Sequence, residues 1–141
     1  MVNSRRKGAA GEREFAALLR EYGWPEAKRG QQRTGLEQAD VVDGPLGCHW
    51  EVKRVQRLQL RKALDQAIRD SPEGCVPIVA HRANGEDWQA TLEMSALLRL
   101  LTFLERHGLQ WSEIAEQSSE EANGPSITST KYWSGSQMAE L

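Results

Sequence analysis

The chain has 141 residues, of which 39% are hydrophobic and 27% charged, with a net charge of −2; that is room for one domain with a real core and too little for two ordinary domains. No run approaches the apolar length that spans a bilayer, and Arg5, Arg6 and Lys7 are followed by no apolar leader core, so a soluble, intracellular (cytoplasmic) protein is expected, with no membrane partner. Cys48 and Cys75 have neither metal-site spacing nor the numbers for a disulfide framework, which makes reduced thiols the default.

The near-neutral total argues against a general nucleic-acid coat protein, yet the charge is unevenly spread. Residues 1–62 hold 13 Lys or Arg against 8 Asp or Glu, and residues 63–141 hold 5 against 12, giving halves of +5 and −7. A cationic half suits a polyanionic partner, although ordinary asymmetry between helices gives the same count.

Residues 1–7 read as a flexible arm. From Lys7 to about Tyr22, Phe15, Leu18, Leu19 and Tyr22 follow the i, i+3, i+4, i+7 spacing of an amphipathic helix, which Gly23 ends. Glu12 falls on the apolar stripe, whereas Glu14 and Glu21 lie to the side. An acid on a buried face needs a partner: either it meets an arginine, or it faces a polar site and helps hold an ion, and the second is favoured. A short strand is expected near residues 26–29, then a polar loop to Gln38 whose Arg33 and neighbouring amides suit contacts to phosphate and sugar, although an ordinary solvated loop has the same composition.

Next come two short strand-like runs on either side of Asp43, Gly44, Pro45, Leu46 and Gly47, the pattern of a β-hairpin. With alternating faces, Cys48, Trp50 and Val52 point one way and His49, Glu51 and Lys53 the other. Asp40, on the partner strand, is expected on the face of Glu51 and within reach of one shared ion. Glu-x-Lys alone is commonly a surface ion pair. Here an aspartate one hairpin upstream, an acid on the preceding helix and a basic helix afterwards favour a site for a divalent metal.

Arg54 and Arg57 follow directly, then a helix over about residues 58–71 with Leu60, Leu64, Ala67 and Ile68 on its core face. Arg57, Arg61 and Lys62 sit at its start, where cations oppose the macrodipole and a phosphate partner would offset them. Residues 75–82 read as a strand, with Pro77 better suited to an edge or a strand start than to a central ladder. Residues 88–92 read as another strand, and residues 94–107 as a helix whose leucines pack on the sheet or, alternatively, form a dimer contact. The expected domain is residues 1–111. A polar tail, 112–141, follows, with residues 116–141 expected to be largely disordered or ordered only against a partner.

The order of elements, with Asp40 and Glu51-Val52-Lys53 on consecutive strands, resembles the PD-(D/E)xK nuclease superfamily. The opening Lys7-Gly8-Ala9-Ala10-Gly11-Glu12-Arg13-Glu14-Phe15 is similar to the start of archaeal-type Holliday junction resolvases and their bacterial and phage relatives. The likeness covers roughly residues 5–82 and rests on motifs. It implies an α/β fold with a restriction-endonuclease-like core, a mixed central β-sheet flanked by helices. It also implies Glu12, Asp40, Glu51 and Lys53 as catalytic positions, Arg13 and Arg29 as phosphate contacts, and a homodimer acting on branched DNA with Mg²⁺, for which Mn²⁺ substitutes. Ala39 stands where the motif usually has proline, and the acidic C-terminal region lies outside the likeness.

On that reading Asp40 and Glu51 hold the ion, Glu12 adds to it from the helix, Lys53 orients a water, and Arg13, Arg29, Arg33, Arg54, Arg57 and Arg61 contact DNA. The alternatives are a repair or restriction-like nuclease on linear duplex, and a DNA-binding protein without catalysis.

Overall fold

The hairpin of alternating residues grows into a five-stranded mixed sheet, seen in a computed structural model that describes residues 3–31 and 39–115. In chain order the elements are α1 (Asn3–Glu21), β1 (Lys28–Arg29), β2 (Val41–Val42), β3 (Cys48–Arg54), α2 (Leu60–Asp70), β4 (Val76–Arg82), β5 (Gln89–Thr91) and α3 (Met94–Arg106). The strands lie in sequence order across the sheet. β1, β2 and β3 run antiparallel in turn, β3 and β4 are parallel, and β5 returns antiparallel to β4. Parallel neighbours cannot be joined by a tight turn, so α2 supplies the crossover between them.

Each face of the sheet carries its own apolar layer. Phe15, Ala16 and Leu19 of α1 pack on Val41, Val52 and Ala80, and Phe15 meets the rings of Trp50 and Trp88 at 4.8 and 5.2 Å. On the opposite face Ala63 and Ala67 of α2 close over Val79. Because Glu51 is in register with Val79, the acid shares the α2 face, while Val52 and Ala80 share the α1 face.

Several expectations need correction. Residues from Asn3 onward are helical, so the basic start of the chain is the first turns of α1 rather than a free arm. Of the expected core face of α2, Ala67 is buried and Leu64 packs partly buried beside it, but Ala63 takes the other buried place while Leu60 and Ile68 stay exposed; small side chains let the helix approach the sheet there. The leucines of α3 do not pack on the sheet, for no residue of that helix is buried. Pro77, by contrast, is the second residue of β4 and precedes residues 79–81, with which β5 pairs, so it sits at a strand start with only β3 alongside, as expected. Among the described residues no helix is long and apolar enough to cross a membrane.

Candidate active site

Gly30 makes the approach of β1 to the chain before β2 possible. A Cβ there would stand 2.1 Å from the carbonyl oxygen of Ala39, and the Gly30 N–H donates to the Asp40 carbonyl at 2.9 Å. Asp40 sits just before β2 and donates its own N–H to the Trp50 carbonyl at 3.0 Å. With Val41 opposite Trp50, Asp40 is thereby set across from Glu51. Its Oδ2 accepts the Val52 N–H at 2.8 Å.

Asp40, Glu51 and Lys53 line one cleft of about 400 Å³ with Glu12, at the C-terminal end of β3. Ser4, Lys7 and Gly8, on the first turns of α1, complete one wall, and Gln56, Gln66 and Asn84 contribute elsewhere. Gln56 Oε1 accepts the Asn84 N–H at 3.3 Å, which ties the segment after β3 to the end of β4.

The electrostatics follow from this crowding. Burial and the Glu51 carboxylate beside it push the Asp40 carboxyl up from 3.8 to about 7, with Glu12 adding to the rise. The Val52 N–H and Lys53 act in the opposite direction and do not outweigh it. Glu51 is buried and holds Lys53, Nζ to Oε1, at 2.6 Å. Glu12, also buried, takes the guanidinium of Arg29 in a short contact. Of the two partners open to Glu12 it therefore has the arginine, while lining the cleft at the same time.

Among the described residues no three His, Cys, Asp or Glu side chains converge as ready ligands for one ion. The reason is visible in the contacts: Glu12 is turned to Arg29, Glu51 to Lys53 and Asp40 Oδ2 to a backbone N–H. The oxygens present are nevertheless hard carboxylate donors, and the mutual repulsion of Asp40 and Glu51 is what a divalent cation would relieve.

The arginines divide into three groups. Arg54 lines the cleft but is held by Glu14 at 3.3 Å, and the same carboxylate takes Arg82 at 3.5 Å. Arg29 is committed to Glu12, and Arg61 to Asp65 at 3.3 Å. Arg13 and Arg57 are exposed, and Arg33 lies outside the described residues.

Reading residues 1–7 as an arm missed Ser4 and Lys7 as cleft residues. Their signal was available, because Ser4, Gly8 and Glu12 repeat every four residues and so share one side of a helix. The Glu14 link between Arg54 and Arg82 had no sequence signal, since it joins α1 to two strands far apart in the chain. No protein-family model, curated protein or solved structure matches the chain.

Proposed function

We propose that this chain is a metal-dependent endonuclease that hydrolyses DNA phosphodiester bonds on a restriction-endonuclease-like core, with branched junctions as its preferred substrate. The observation that carries the reading is the meeting of Asp40, Glu51 and Lys53 with Glu12 in one cleft, where crowding raises the Asp40 pKa to about 7. Folding two carboxylates and a lysine together against half-buried surface is unfavourable without a use for the charge.

Asp40 and Glu51 would hold Mg²⁺, or Mn²⁺ in its place, an ion that commonly binds one or two carboxylates and completes its shell with water and substrate phosphate. When bound, it supplies positive charge against the phosphodiester oxygens. Lys53 projects its ammonium from the strand position two beyond Glu51, and Glu51 steadies it there to orient a water or meet a phosphate oxygen. Lys7 on the opposite wall offers a second cation to the same substrate. Arg29 fixes the Glu12 carboxylate, and the exposed Arg13 and Arg57 take the duplex on either side. Resolving a junction takes two related cuts, so the reading includes a homodimer.

The test is a cleavage assay that compares a four-way junction with its component duplexes in Mg²⁺ and in EDTA. Metal-dependent cutting of the junction supports the proposal. Equal cutting of linear duplex would leave a nuclease of repair or restriction type, and binding without cutting by the wild-type chain would leave a DNA-binding protein.

A further inference from the structure

Arg54 and Arg82 end β3 and β4 directly opposite one another in the parallel ladder. Glu14, from α1, reaches both, which places both guanidiniums on the α1 face of the sheet. Two like charges at neighbouring strand ends repel, and a single carboxylate is set against them. It meets both through the same oxygen: Oε2 lies 3.3 Å from Nε of Arg54 and 3.5 Å from a terminal nitrogen of Arg82.

These contacts are ion pairs without hydrogen bonds. Glu14 Oε2 and the Nε atoms of Arg54 and Arg82 are buried, and among the described residues none of the three has a hydrogen-bonding partner. A guanidinium carries five N–H donors, far more than one shared oxygen can accept, and a buried polar group without a partner is unfavourable. Two guanidiniums and one carboxylate also leave the cluster with a net charge of +1. Fastening α1 to the sheet would need only one of the arginines.

Both side chains are held in place. A Cβ at Gly11 would stand 2.7 Å from that of Arg54, so α1 lies against the stem of this arginine. The guanidinium carbon of Arg82 is 5.6 Å from the centroid of the Trp88 ring, within cation–π range. Each arginine is still 25% exposed, and Arg54 lines the cleft that holds Asp40, Glu51 and Lys53. Asn84, two residues beyond Arg82, lines it as well, so the cleft runs past the ends of both strands.

We propose that Arg54 and Arg82 form a binding site for one internal phosphodiester of a nucleic-acid backbone, next along the strand to the phosphate at Lys53, with Glu14 as the resident counter-ion that sets the charge of the site. It rests on the nuclease reading and adds to it a second phosphate position, of which Arg82 is the part that no sequence motif marks. Charge selects the ligand. The net charge of the cluster equals the single negative charge of a phosphodiester, whereas a terminal phosphate brings about −1.5 to −2 and would leave negative charge uncompensated.

The test is binding of a labelled four-way junction in EDTA, followed by fluorescence anisotropy, for wild type, Arg82→Gln and Glu14→Gln. Arg82→Gln is expected to weaken binding about 10-fold and to flatten the log–log salt dependence by about 0.9, as for one lost charge-assisted phosphate contact. Glu14→Gln is expected to act in the opposite direction, tightening binding by about 3-fold or more, because the carboxylate no longer offsets the arginines. A gain in affinity cannot come from lost structure, which separates this role from a merely structural clamp. A neutral methylphosphonate moved along the strand should weaken wild type at one internal position and cost Arg82→Gln nothing there, while removal of terminal phosphates should change nothing. Unchanged binding by Arg82→Gln, weaker binding by Glu14→Gln, or a response confined to terminal phosphates would each overturn the inference and leave the nuclease reading standing. A wild-type chain that neither binds nor cuts DNA would overturn both.

Discussion

The backbone N–H of Val52 donates to Oδ2 of Asp40 at 2.8 Å, so an aspartate from one strand of the hairpin is anchored on the strand that presents Glu51 and Lys53. The contact uses one carboxylate oxygen and leaves the other for the cleft. It also means that the aspartate is positioned by main chain, whose geometry is unaffected by loss of its charge.

Asp40→Asn is therefore expected to keep the Val52 contact through its amide oxygen while losing the charge repelled by Glu51 and Glu12. Metal-dependent cleavage should disappear and DNA affinity should persist. Without metal at pH 8 the variant should be more stable than wild type by about 1–2 kcal/mol, a rise of several degrees in Tm. Cleavage assays paired with thermal melts in EDTA check both halves, and near wild-type cutting would remove the ligand role.

The pH dependence has a definite sign. Asp40 has a pKa of about 7 in the folded chain against an ordinary 3.8, so the folded state holds the proton more tightly than the unfolded one. The resulting stability is fully present below about pH 4 and is lost as the pH rises through about 7. The whole effect is at most about 4 kcal/mol, of which about 2 kcal/mol falls between pH 5.5 and 8.5. Urea unfolding in EDTA should show that decline in wild type and a flatter profile in Asp40→Asn. Divalent ion binding should release a proton near neutrality, which calorimetry in buffers of different ionisation enthalpy would detect.

Arg29 and Glu12 form the second coupled pair. Arg29→Ala leaves a buried carboxylate without its cation, and a loss of roughly 1–3 kcal/mol is expected, reduced from the fully buried case because the guanidinium is partly exposed. Glu12→Gln should relieve most of that loss when combined with Arg29→Ala. A double-mutant cycle by chemical denaturation measures the coupling, and additivity of the two changes would mean that the pair is incidental.

Arg57 and Arg61 are distinguished by their surroundings. Arg57 is exposed and no ion pair holds it among the described residues, whereas Arg61 is engaged with Asp65. If both face DNA, Arg57→Ala should flatten the log–log salt dependence of binding by about 0.9. Arg61→Ala should do less, because its charge is already partly offset. Fluorescence anisotropy over a salt series gives both slopes, and an unchanged slope for Arg57→Ala would move the binding face elsewhere.

What the sequence made legible was local. Asp43 to Gly47 lie between two alternating runs, so the hairpin, its loop and the pairing of Asp40 with Glu51 follow from turn chemistry and the two-residue period. The start of α1 was not legible, because it has no acid in its first turn and three consecutive cations there read as a solvated arm. The buried face of α2 was placed only in part, Ala67 and Leu64 rightly but Leu60 and Ile68 wrongly, because hydrophobicity favours leucine and isoleucine while the spacing to Val79 is set by Ala63 and Ala67. For α3, periodicity reported an apolar face correctly but carries no information about what covers it. The partners of Glu12 and Glu14 depend on contacts between distant segments, and no local pattern encodes them.

The sheet has a further property in its two margins. β1 is two residues long and both are cationic, and β5 is only three residues long. Borders this short, the first of them also charged, offer too few free backbone groups in line for another chain to extend the ladder. Growth by strand addition, the usual route from an open sheet to fibrous aggregates, is thus disfavoured at both sides, and recruitment of an extended peptide as a sixth strand is disfavoured with it.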